Sequence, residues 1–97
     1  MNIKINDEFS FTVDGSIKSV EDFNRIKETL EPMITQSTTQ IDIHIINSIS
    51  ITSSVIGLFL KAVQKDGITI NLSVNDERLE SLLDDLSLKE VFNVQKI

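Results

Sequence analysis

Few residues in this chain are of a type that could carry covalent or acid–base chemistry. There is one histidine, His44, and there are no cysteines. His44 lies inside the run Ile41-Asp42-Ile43-His44-Ile45-Ile46, with no serine or cysteine beside it to act as a nucleophile. A Ser–His–Asp arrangement would need partners supplied by the fold, and a partly buried strand histidine is the simpler expectation. Glu80, Asp84 and Asp85 could hold a hard cation weakly, but no oxygen-rich loop of the EF-hand type surrounds them. An acidic, solvated helix face accounts for them. Gly15, Gly57 and Gly67 are isolated, so no glycine-rich phosphate loop exists. The expectation is a chain without catalytic residues, metal ligands or cofactor.

One segment offers more. Asn47-Ser48-Ile49-Ser50-Ile51-Thr52-Ser53-Ser54 carries five hydroxyl residues in eight, between an apolar strand pattern and an apolar helix pattern. One hydroxyl among Thr52, Ser53 and Ser54 is explained as the N-cap, which accepts a hydrogen bond from a first-turn amide. A single cap suffices, so three in a row leave two without that role. A phosphate there would meet unpaired N–H groups and the positive end of the helix dipole, which makes the segment a candidate docking or modification point.

The elements that must position this segment follow from periodicity. Asn2 to Asn6 and Phe9 to Val13 alternate apolar and polar residues, which predicts two strands joined by a short connection at Asn6-Asp7-Glu8. Asp14-Gly15-Ser16 reads as a turn. Ser19 caps a first helix, with Asp22 completing a capping box. Val20, Phe23, Ile26, Leu30, Met33 and Ile34 form its apolar stripe, and Pro32 ends or kinks it near Glu31. Ile41 to Ile46 predicts a central strand with Ile41, Ile43 and Ile45 on one face. Val55 to Lys65 predicts a second helix with Ile56, Phe59, Leu60 and Val63 inward, closed by Asp66-Gly67. Ile68 to Val74 alternates as a strand. Asn75 or Asp76 then caps an acidic helix with Leu79, Leu82, Leu83 and Leu86 inward. Ser87 and Glu90 read as a last capping box before Val91 and Phe92, and Asn93 to Ile97 as an edge strand or a frayed end. The order β-β-α-β-α-β-α predicts an α/β fold: a single domain with a mixed sheet of four to five strands and helices packed against it.

Composition narrows the function class. The 97 residues suit one domain with a modest core, and 40% hydrophobic with 25% charged residues is ordinary for a globular chain. The formal net charge is -6 and the nine Lys and Arg residues are scattered, so nucleic acid is an unfavourable partner. No apolar run approaches the roughly 20 residues of a membrane span, and Met1 to Ser10 has no signal-peptide core, so the expected address is the cytoplasm. Protein binding is the expected activity.

The order of elements and the hydroxyl segment together resemble a STAS domain, the fold of anti-anti-sigma factors (anti-sigma factor antagonists). In that family a strand leads into an Asp-Ser-Ser/Thr-Gly-Leu-Gly motif that opens a helix, followed by a glycine and another strand. This chain reads Thr52-Ser53-Ser54-Val55-Ile56-Gly57, then Leu58-Phe59-Leu60, then Asp66-Gly67 before Ile68 to Val74. Upstream, Phe11-Thr12-Val13-Asp14-Gly15-Ser16-Ile17 resembles the family's strand and glycine turn before the first helix. Downstream, Leu79 to Phe92 resembles its closing leucine-rich helix, so the likeness spans nearly the whole chain. Thr52 stands where the family has aspartate and Val55 where it has glycine.

The resemblance implies a non-enzymatic regulatory module. Its partner would be a kinase that is also an anti-sigma factor, with Ser53 as phospho-acceptor and Ser54 or Thr52 as the alternatives. Ser50, Thr52, Ser53, Ser54, Val55 and Gly57 would form the partner surface. The family also implies a second reading, a constitutive accessory subunit that docks on the ATPase of an ABC-type lipid transporter.

Overall fold

The computed structural model describes residues 1–97. Five strands form one sheet in the order β1 (Asn2–Asp7), β2 (Ser10–Asp14), β3 (Gln40–Ile46), β4 (Thr69–Val74) and β5 (Gln95–Lys96). β1 runs antiparallel to β2, and every other neighbouring pair is parallel. The parallel pairs are joined by α1 (Val20–Leu30), α2 (Ser53–Gln64) and α3 (Glu77–Asp85). Each crossover steps to the next strand in the same direction, and right-handed crossovers of that kind put all the helices on one face.

The alternation of burial agrees with that arrangement. Phe11, Val13, Ile41, Ile43, Ile45, Ile70, Leu72 and Val74 are fully buried, whereas Thr12, Asp42, His44, Asn71 and Ser73 between them stay half-exposed. The helix-bearing side holds one core of 23 apolar residues, in which the Phe59 and Phe92 rings meet edge to face at 5.9 Å. No helix is long and apolar enough to cross a membrane.

The helix ends obey their local chemistry. Ser19 caps α1 in a full capping box with Asp22, whose carboxylate accepts from the Lys18 and Ser19 amides; those bonds hold its carboxyl below the ordinary carboxylate range. Pro32 lacks an N–H and cannot continue an α-helix, so α1 stops at Leu30 and tightens into a 3-10 turn over Glu31–Met33. Asp76 caps α3, and the Arg78 guanidinium beside it holds the Asp76 carboxyl down to about 2. Gly67 takes a φ of +67° after α2, a conformation open to glycine, and the Ile68 amide reaches back to the Ala62 carbonyl at 3.0 Å.

Leu86, expected inward on α3, is instead 49% exposed at the C-cap of that helix, and three further local expectations are corrected. Phe9 is not a strand residue. The register of β1 on β2 shifts between Ile5 and Asp7, so Asp7 pairs with Ser10 and Glu8-Phe9 become the turn. The Phe9 amide donates to Asp7 Oδ1 at 2.8 Å, and the ring is 40% exposed. Val20 is 77% exposed rather than buried. As the first residue of α1 its side chain leans toward the helix N-terminus, away from the turns that cover the core.

Ser87, the third, does not open a helix but closes one, at φ +60°. Its amide donates to the Asp84 carbonyl and the Leu88 amide to that of Leu83, the paired bonds of a Schellman motif. The chain then turns through Phe92 and ends as the edge strand β5.

Candidate functional site

The hydroxyl segment leaves the C-terminal end of β3, at the same edge of the sheet as the ends of β2 and β4. Ligands and partners of open α/β sheets meet that edge, because the loops entering the helices converge there. A polar knot ties the three strand ends together. Asn47 adopts a left-handed φ of 59°, its amide donates to Asn75 Oδ1 at 2.8 Å, and its Nδ2 donates to Asp14 Oδ1 at 2.9 Å. Asparagine tolerates this conformation better than other side-chain-bearing residues.

Ser48 and Ser50 then fasten the loop to the approach of α1. The buried Ser48 Oγ accepts from the Ile17 amide at 3.2 Å and donates to the Ser50 carbonyl at 2.8 Å. Ser50 Oγ donates to the Ile17 carbonyl at 3.4 Å. The hydroxyls of this loop therefore divide by task. Ser50, expected on the partner surface, is half-buried and spends its hydroxyl on the loop. Two apolar side chains here are exposed as well: Ile49 at 50% and Val20, three residues beyond Ile17, at 77%.

Thr52 is the N-cap of α2. It has extended backbone angles (φ -86°, ψ 157°), and its Oγ1 accepts from the Val55 amide at 3.3 Å. Its carbonyl accepts the first intrahelical bond, from Ile56 at 3.0 Å. Ser53 and Ser54 are the first two residues of the helix, and both are exposed. Amides at those positions have no intrahelical acceptor.

The charge around this helix end is unusual for the chain. α1 carries Glu21 and Asp22 in its first turn and α3 carries Glu77 and Glu80, but α2 has no acidic residue there. Its positive dipole end is thus left without a neutralising side chain, beside two free hydroxyls.

Val55 leaves the candidate surface. It is fully buried on the inner face of α2 with Leu58, Phe59 and Ala62, where a β-branched side chain fills core volume and touches no partner. Gly57, one turn after Ser53 and Ser54, is exposed, and a Cβ built there meets nothing within 4 Å. Nothing inside the chain requires glycine at this position. Gly57→Ala should stabilise the fold by ~0.5–1 kcal/mol through helix propensity, seen as a higher denaturant midpoint. Thr52→Ala should cost ~0.5–1 kcal/mol, at the low end for a cap because its bond is long; the same titration measures it.

The residues of acid–base type do not join this site. His44 pairs across the sheet with Thr12 and Ser73 on the face without helices, whereas α2 and its serines belong to the opposite face. Glu80 is half-exposed, Asp84 and Asp85 are exposed, and no group of three or more acidic or histidine side chains is placed to hold a metal ion.

Sequence reasoning missed the Asp14–Asn47–Asn75 knot and the anchoring by Ser48. Asparagines directly after two strand patterns were the available signal, but the bond partners lie 28 and 33 residues apart. No protein-family model matches this sequence, and no curated protein matches it.

Proposed function

We propose that the chain is a non-enzymatic regulatory module of the STAS type that binds a partner protein through the N-terminal end of α2 and is switched by phosphorylation at Ser53. The observation that carries this reading is the pairing of an exposed Ser53 hydroxyl with a helix N-terminus lacking any acidic side chain in its first turn. A phosphate on the first helical residue adds close to two negative charges where the dipole and the free amides favour an anion, so the fold tolerates it. The docking surface, in contrast, changes from neutral to strongly anionic. One modification thus alters binding without unfolding the chain.

Thr52 is the poorer acceptor of the three hydroxyls, because its oxygen is engaged in the cap. Ser54 is also exposed, and the motif register of the STAS resemblance selects Ser53 over it. The apolar Ile49 and Val20 at the same end of the sheet would give a partner desolvated contacts around the switch. The partner class that the resemblance suggests is a serine kinase that also acts as an anti-sigma factor, in the cytoplasm.

The test is affinity purification of the full chain from its native cells, with phosphosite mapping of the bound and unbound pools. The proposal expects an ATP-binding kinase-like partner on the unmodified pool and phosphate on Ser53 in the unbound pool. Stoichiometric recovery of a transporter ATPase with an unmodified chain would contradict the switch and favour a constitutive subunit.

A further inference from the structure

At the other end of the sheet, a groove of about 760 Å³ opens over β1, walled by the C-terminal half of α1 and the turn at Pro32. It lies on the helix-bearing face, because Ile3 and Ile5 pair with the inward-facing Val13 and Phe11. Yet the core leaves its floor uncovered. Ile5 is 63% exposed and Phe9 40%, two of the larger apolar side chains open to solvent in a chain that buries most of the rest. The register shift between Ile5 and Asp7 is what turns Phe9 out of the strand and into this groove.

The rim is acidic. Asp7, Glu8 and Glu28 line it, and none of them is in an ion pair. Arg25 is the one basic residue of the lining, and its guanidinium is engaged with the Met1 carbonyl at 2.6 Å. We propose that this groove docks a basic, amphipathic helix of a partner protein, which lies beside α1 over β1 and extends the helical layer.

Three observations fix the occupant. The apolar floor with three carboxylates around it, none in an ion pair, complements a helix whose apolar stripe is flanked by Lys and Arg. The position over the face of the edge strand β1, rather than along its free backbone, suits an element about 10 Å across rather than an added strand. The shifted register also disrupts the edge of β1 at the very residues that border the groove, which disfavours strand addition. A second copy of the chain fits poorly. Symmetric contact through this groove would set its acidic rim against the same acidic rim of the second copy, in a chain of net charge -6. The groove and the Ser53 end lie at opposite ends of the parallel strands, so this inference stands independently of the phosphoswitch.

The experiment is selection of a displayed random 20-residue peptide library on the full chain, with counter-selection on Ile5→Glu. Ile5 is mostly exposed, so this variant should melt as the wild type does. Enriched peptides should be basic, with apolar residues at i, i+3, i+4 and i+7. A synthetic copy of the best one should bind Ile5→Glu and Glu28→Lys at least about tenfold more weakly than wild type, with affinity falling as salt rises. No enrichment, acidic or neutral peptides, or apolar residues alternating with period two would each overturn the proposal. So would equal binding to Ile5→Glu. Sedimentation that showed wild-type dimers dissolved by Ile5→Glu would assign the groove to a second copy instead.

Discussion

Ile45→Ala is expected to lower the unfolding free energy by about 2–5 kcal/mol. Ile45 lies on the central strand, paired on one side with Val13 and on the other with Val74, and is fully buried against the helices. Truncation removes the transfer free energy of the lost methyl and methylene groups. It also leaves a cavity, because the neighbours are backbone-paired strands that cannot collapse inward. Against the usual 5–15 kcal/mol total for a domain, that is a large fraction. The melting midpoint of a chain this size should fall by about 10 °C or more. Ile43→Ala should behave alike. His44→Ala, on the half-exposed face one residue away, should cost under about 1 kcal/mol. Equal losses at His44 and Ile45 would mean that the two faces of β3 are assigned wrongly.

The second large effect is on binding. Ser53→Asp should weaken the partner complex by at least about tenfold while leaving thermal stability unchanged or slightly raised. The stability side follows from position: an acidic side chain at the first helical residue interacts with the dipole by ~0.3–1 kcal/mol, and α2 has no such residue in its first turn. The binding side follows from the charge now placed on the proposed docking surface, which offers a neutral hydroxyl and apolar neighbours. Ser53→Ala should keep both fold and binding and lose only regulation. A melt and a pull-down on the three proteins separate the effects. Were Ser54→Asp the variant that lost binding, the acceptor would be one residue further along the helix.

Most of the architecture was legible because it rests on short-range patterns. The alternation in Ile41–Ile46 and Ile68–Val74, the Ser19 capping box and the Pro32 stop are each written within a few residues, and each is found in the structure. The misses are places where a distant partner or a neighbouring strand decides. Phe9 fits an alternating pattern until the pairing of Asp7 with Ser10 moves it into a turn. Val20 fits a helical stripe, but as the first residue of α1 it stays 77% exposed. Ser87 fits an N-cap, yet the last carbonyls of α3 claim the amides around it.

At the candidate site, the existence of one cap among Thr52, Ser53 and Ser54 could be read from composition. Which residue caps could not, because backbone angles select Thr52 and leave Ser53 and Ser54 free. The burial of Val55 and the roles of Ser48 and Ser50 were likewise invisible, since each depends on which way one turn of helix or loop faces.

In the proposed switch, charge on Ser53 controls partner binding without disturbing the fold. The most direct measurement is a titration of the purified partner against the full chain carrying phosphate on Ser53 and against the unmodified chain, with a melt of each. The phosphorylated chain should bind at least about tenfold more weakly, with the two melting midpoints within a few degrees of each other. Equal affinities, or a phosphorylated chain that no longer folds, would contradict the claim.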